Sequence, residues 1–131
     1  MEAKVSTSLE NYLETILFLA DKNGKVRITD IAGSMNISKP SVHKAVNVLT
    51  REGYIFHEKY KPIELTEKGL KAARNIAARH NAITRFLTEI LEIAPEEAER
   101  EACLLEHAMS VKTVEKLLTF LNKYKKGKTS V

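Results

Sequence analysis

Residues 27–54, RITDIAGSMNISKPSVHKAVNVLTREGY, carry two short helical patterns parted by a break of three residues. In the first, Ile28, Ile31, Ala32 and Met35 recur at the spacing of one helix face, with Thr29 placed near the cap. Asn36-Ile37-Ser38 interrupts it. In the second, Ser38 can cap and Pro40 falls in the first turn, where its missing N–H costs nothing. Val42, Ala45, Val46 and Leu49 must face inward, and Gly53 ends the run. YIFHE and PIELT then read as two short strands around the turn KYKP. A helix, a tight turn, a second helix and a hairpin form the order of a winged helix-turn-helix.

The flanks are helical. SLENYLETILFLAD predicts a helix over 8–21 with Ser8 as cap. Thr66 is placed to cap a long helix over 67–91, and Pro95 opens another over 95–109 with acids in its first turn, as the helix dipole prefers. Ser110 is placed to cap a last helix, after which KKGKTSV reads as a frayed tail. The expected fold is mainly α: a winged helix-turn-helix over 1–70, then an all-helical part over 71–131. No run of eighteen apolar residues exists and the N-terminus lacks a signal-type apolar segment, so a cytoplasmic protein with no membrane partner is expected.

The pattern of faces points to DNA. Once the apolar residues of the second helix turn inward, short polar and cationic side chains remain outside in its first two turns. Ser38, Lys39, Pro40, Ser41, His43 and Lys44 form that set, and no acid occurs between Ser38 and Thr50 in a chain with 17 acids. Hydroxyls and amides bond phosphate, while lysines and other polar side chains reach base edges in the major groove. Lys59 and Lys61 at the hairpin tip would lie against the adjoining backbone. The formal charge of +4 is compatible with this and does not require it.

EACLLEHAMS, residues 101–110, holds the chain's one cysteine. On a helix Cys103, Glu106 and His107 share a face, presenting a thiol, a carboxylate and an imidazole together. That set suits a divalent transition metal but does not close its coordination shell. A lone cysteine within a helix is most often a buried apolar residue. His80 in the long helix, and Asn11 and Glu14 three apart on the first helix, offer further donors.

Taken together, LENYLETILFL, ITDIAGSMNISKPSVHKAVNVLTREGYI, LTEKGLKAARNIAARHNAITRFLTEIL and EACLLEHAMS resemble the diphtheria-toxin-repressor family of metal-dependent transcriptional regulators, along nearly the whole length. The resemblance implies a main metal site of Asn11, Cys103, Glu106 and His107, with Glu14 and His80 matching further ligand positions of the manganese branch. Asn11 departs from both branches, where Met or Asp is usual. A thiolate at 103 is the iron-branch residue, whereas Glu14 is the manganese type. The iron branch's second site would fall on His80, Thr84 and Glu99, and threonine is a poor ligand there. The resemblance makes 1–70 a DNA-binding domain and 71–131 an all-helical dimerisation and metal-binding domain, and it implies a homodimer that binds palindromic double-stranded operator DNA when loaded with a divalent metal and so controls metal-homeostasis genes, most simply as a repressor. Iron(II) is favoured over manganese(II), with zinc, cobalt or nickel as surrogates. No small organic substrate and no enzymatic activity are expected, since the chain has no phosphate loop or nucleophile turn. The competing expectation is a winged-helix regulator that senses an organic ligand or oxidation of Cys103.

Overall fold

The stripe Leu13, Ile16, Leu17 is buried, and it belongs to the first described helix. In this computed structural model, which describes residues 7–129 and the side chains of 8–124, the order is α1 Thr7–Asn23, α2 Ile28–Met35, α3 Lys39–Arg51, β1 Ile55–Phe56, β2 Glu64–Leu65, α4 Glu67–Arg85, α5 Pro95–Leu105 and α6 Val111–Thr129. The fold is mainly α, with one small hairpin. The chain divides into two compact units, the first ending at Asn75 and the second beginning at Ile76.

In the first unit α1 packs on α2 and α3. Helix α1 begins at Thr7, so Ser8 lies inside it rather than capping it. Helix α2 also begins two residues earlier than a cap at Thr29 would place it. The Asp30 carboxylate reaches back to accept the Arg27 N–H at 2.9 Å, which fixes Arg27 at the cap position. Asn36 ends α2 in the left-handed region, φ 55°, which asparagine tolerates better than most side chains. Helix α3 starts as the sequence predicts: Ser38 Oγ accepts the Ser41 N–H at 3.3 Å and Pro40 sits in the first turn. Val42, Ala45, Val46 and Leu49 are buried. Each such side chain removed from water contributes roughly 1.5–3 kcal/mol when it is as large as valine or leucine.

Gly53, at φ 83°, turns the chain out of α3 into the hairpin. Ile55 pairs with Leu65 and Phe56 with Glu64, antiparallel. The strands are two residues long where five were expected. Pro62 has no N–H to extend the ladder, and the chain turns through Tyr60 at φ 67°. A further bridge joins Ile63 to Val26, with the Ile63 N–H donating to the Val26 carbonyl at 2.7 Å. Thr66 caps α4 through its hydroxyl, which accepts the Gly69 N–H at 3.0 Å and donates to the Gly53 carbonyl at 2.6 Å.

The second unit departs from the sequence pattern twice. The α-helical part of α4 stops at Arg85, and Phe86–Ile90 forms a π-helical turn in which the Leu91 N–H reaches the Phe86 carbonyl at 3.2 Å. Thr88 donates its hydroxyl to the Thr84 carbonyl at 3.0 Å, a back-bond of the kind that disturbs helices. Helix α5 opens at Pro95 as predicted but ends at Leu105, so Glu106 is its C-cap and His107 lies in the following turn. The N–H groups of Ala108 and Met109 both donate to the Leu105 carbonyl at 3.0 Å, closing that turn. Ser110 then caps α6, accepting the Thr113 N–H at 3.2 Å. Helix α6 continues through most of the tail expected to fray, to Thr129; Ser130 and Val131 lie outside the described residues. Ile83, Leu87, Ala98 and Ala102 form one buried cluster, and Ala82, Val114 and Leu121 another. Among the described residues no helix is long and apolar enough to cross a membrane.

Candidate metal centre and nucleic-acid interface

Within the second unit, His80 on α4 meets the end of α5. His80 Nδ1 lies 2.8 Å from Glu106 Oε2 and 4.0 Å from Cys103 Sγ. Donor atoms of His80, Cys103 and Glu106 all fall within 4.8 Å of one another, the one such group among the described residues. A tetrahedral transition metal, with bonds of about 2.0–2.3 Å, needs donors roughly 3–4 Å apart. The three side chains therefore fit a metal by position and chemistry: a nitrogen, a sulfur and an oxygen converge. Cys103 is exposed, which removes the alternative of a cysteine packed as an apolar core residue.

Glu106 is 1% exposed. A carboxylate this deeply buried needs compensation. Its Oε2 faces His80, and its Oε1 lies 3.2 Å from His107 Nε2, so His107 borders the cluster through Glu106. Two further residues support the centre: Glu99, which the family resemblance matched to a second-site position, and Arg79, which the sequence did not single out. Glu99, one helical turn before Cys103 on α5, holds His80 Nε2 at 2.8 Å. A partner on the far ring nitrogen fixes the direction in which the near one points. Arg79 donates to the Glu106 carbonyl at 3.1 Å, holding the end of α5. The sequence reached Glu99 only through the family resemblance; Arg79 gave no sign. Asn11 and Glu14 are half-buried on α1, in the first unit.

Both ring nitrogens of His80 face carboxylates. Burial pulls its pKa down, but the hydrogen bond to Glu99 and the negative charges of Glu106 and Glu99 outweigh it, and the net shift is upward. A raised folded pKa stabilises fully below the unfolded value, about 6.5, and that contribution is lost as pH rises through the higher folded value. The metal-free protein should therefore lose thermal stability as pH rises from about 6.5 upward. Thermal melts in chelator from neutral to mildly alkaline pH check this. His80→Gln should flatten the dependence, and an unchanged slope in that variant would contradict the assignment.

The second candidate surface lies in the first unit. Ser38, Lys39, Pro40, Ser41, His43 and Lys44 are all exposed at the start of α3, beside Asn47. Lys59 and Lys61 are exposed at the hairpin tip. Lys61 is paired to Glu58 at 2.9 Å, with both side chains in solvent. Such a pair holds by about 1 kcal/mol or less, so a phosphate can displace it.

Residues 4–63 match the N-terminal DNA-binding domain of the iron-dependent repressors, and residues 66–128 match their metal-binding and dimerisation domain. The chain is 40% identical over 122 residues to an uncharacterised HTH-type transcriptional regulator of Methanocaldococcus jannaschii, covering 92% of this chain and 98% of the relative. It is 31% identical over 110 residues to the transcriptional regulator MntR of Bacillus subtilis, covering 84% and 77%. Among solved structures, the manganese regulator SloR superposes with a TM-score of 0.77 at 34% identity, covering 87% of this chain. The metal-dependent transcriptional regulator MtsR gives 0.81 at 28%, also covering 87%. The chain spans 53% of each of those two structures. With both halves of the family matched in order, and with a transition-metal donor set and a winged helix-turn-helix in the corresponding halves, the chain belongs to the diphtheria-toxin-repressor family of metal-dependent transcriptional regulators, which are not enzymes.

Proposed function

We propose that the protein binds palindromic operator DNA as a homodimer when loaded with a divalent metal, and that it represses metal-homeostasis genes. The observation that carries this reading is the convergence of His80, Cys103 and Glu106 within 4.8 Å in the half that matches a metal-binding and dimerisation domain. His80, Cys103, Glu106 and His107 are the proposed ligands from the second unit. Asn11 and Glu14 are carried to the set by the family resemblance. A bound cation would supply the positive charge that the thiolate, carboxylates and imidazoles share.

The chain's own residues do the rest. Cys103 must give up its thiol proton and His80 must free Nδ1, so metal affinity should fall with acid. Glu99 keeps the His80 ring aimed. Metal and DNA are coupled only if one conformation binds both better, and the coupling is reciprocal. Operator DNA should then tighten metal binding by the factor by which metal tightens DNA binding. We favour iron(II) over manganese(II) because the Cys103 thiolate is a soft ligand. SloR, a manganese regulator by its description, sets the competing expectation.

The proposal of a dimer is supported by apolar side chains left in solvent in the second unit: Leu104 is 76% exposed, Val111 67% and Phe120 47%. Large apolar side chains left this exposed are what a dimer interface would cover. A two-fold axis would present two copies of α3 to DNA at a fixed separation. Selection of duplexes from a random pool by the metal-loaded protein tests the reading. A two-fold symmetric site, with half-sites about one helical turn or a multiple apart, is expected. Enrichment of an asymmetric site, or of none, would count against it.

A further inference from the structure

The His80 ring is engaged on both nitrogens. Nδ1 faces Glu106 and Cys103, while Nε2 is 2.8 Å from Glu99 Oε1. The two carboxylates differ in kind. The Glu106 side chain is 1% exposed, that of Glu99 60%. Glu99 does not belong to the donor group that closes within 4.8 Å, and among the described residues no second such group forms around Nε2. Thr84 follows His80 by one helical turn on α4, so the two share a face. Its hydroxyl oxygen is buried and makes no hydrogen bond to His80, to Glu99 or to any other described residue. On its Nε2 side His80 therefore meets one exposed carboxylate, and no further anionic or imidazole donor completes a set there.

We infer that Glu99 is a positioning residue and not a metal ligand: it holds the Nε2 proton of His80, which makes Nδ1 the donor nitrogen and bars a second metal from the far side of the ring. The inference rests on the proposed metal centre. It departs from the second site that the resemblance places on His80, Thr84 and Glu99. The chemistry of the ring decides it. A neutral imidazole has one N–H and one lone pair in the ring plane. If Nδ1 gives its lone pair to a metal beside Cys103 and Glu106, the proton sits on Nε2, and a protonated nitrogen cannot ligate. Glu99 is placed to accept that N–H at 2.8 Å. An ionised acceptor strengthens the hydrogen bond and raises the basicity of the opposite nitrogen. A metal on Nε2 would have to break this bond and strip the proton from the ring. It would then find only Glu99 and a threonine hydroxyl for its remaining ligands. Threonine is not among the side chains that ordinarily bind transition metals. Helix α5 thus carries two functions one turn apart: Cys103 supplies a ligand, and Glu99 aims another.

The test uses the whole chain and zinc(II), which is diamagnetic and leaves the histidine rings visible to proton–nitrogen NMR. With zinc in excess, His80 of the wild type should keep a slowly exchanging Nε2–H, and its Nδ1 should carry the metal-induced shift. In Glu99→Ala that N–H should exchange with water about tenfold faster or more, since a hydrogen bond to a charged group has been removed. Equilibrium dialysis should find the same number of zinc ions per chain in both proteins, with an affinity lower by about 10- to 100-fold in the variant. Glu99→Gln, whose amide oxygen accepts the same N–H without the charge, should fall between them. A role in folding alone would move neither the exchange of this one ring proton nor the identity of the ligating nitrogen. Loss of one zinc per chain in Glu99→Ala, or disappearance of the Nε2–H in the wild type as zinc is raised, would make Glu99 a ligand and overturn the inference. Unchanged affinity in Glu99→Ala would overturn it as well. A wild type that takes up no zinc would instead overturn the metal centre itself.

Discussion

Glu106→Ala should lower affinity for a divalent metal by about 100-fold or more and remove the metal dependence of DNA binding. Its carboxylate is the most buried donor of the centre and lies between His80 and His107. Removing it takes an anionic ligand from the cluster and leaves His80 held only from the Glu99 side. The backbone carbonyl that Arg79 grips remains, so the end of α5 keeps its tether. Glu106→Gln separates charge from shape, since the amide keeps the volume and can still hydrogen-bond. It should lose most of the metal affinity while melting close to the wild type in chelator. Titration with cobalt(II), followed by calorimetry and by the thiolate charge-transfer absorbance of Cys103, reads both variants. Metal affinity within threefold of the wild type in Glu106→Ala would remove the cluster from the mechanism.

Gly69→Ala should be among the most destabilising single substitutions in the first unit. A Cβ at this position would run into the Tyr54 carbonyl, which is backbone and cannot rotate away. That carbonyl already accepts the Thr66 N–H at 3.1 Å, and the Gly69 N–H is held by the Thr66 hydroxyl. The junction between hairpin and α4 would have to shift as a block. Overpacking of this kind costs about 2–4 kcal/mol, or a fall of roughly 10 °C in Tm for a chain of this size. Differential scanning calorimetry in chelator reads it. A Tm within about 2 °C of the wild type would show that the junction relaxes at little cost.

The sequence made some of this legible and hid the rest for physical reasons. The inward stripe Val42, Ala45, Val46, Leu49 could be read because a 3.6-residue period and a Ser-Lys-Pro entry agree on one helix. The same agreement made the exposed face of α3 readable as its complement. The end of α5 was not legible. Leu105 to Met109 keeps good helix formers, and nothing local says that the helix stops with Glu106 as its C-cap, so that His107 falls in the following turn. The π-turn at Phe86–Ile90 was hidden in the same way, since Thr88 bonding back to Thr84 is a choice among hydrogen bonds, not a pattern of hydrophobicity. Of the candidate ligands, Cys103 and Glu106 could be paired from spacing, but joining His80 to them needed α4 packed against α5. Glu99 and Arg79 serve the centre through contacts spanning 19 and 27 residues, which no local motif carries.

The central claim is that metal held at His80, Cys103 and Glu106 controls DNA binding through α3. The most direct test is anaerobic titration of the protein onto its selected duplex, first in chelator, then with iron(II), manganese(II) and zinc(II) in turn. Binding that is absent in chelator, appears with metal, is tightest with iron(II), and is lost in Glu106→Ala is the result predicted. Equal affinity with and without chelator would contradict the account, leaving a winged helix that binds DNA without consulting the centre beside Cys103.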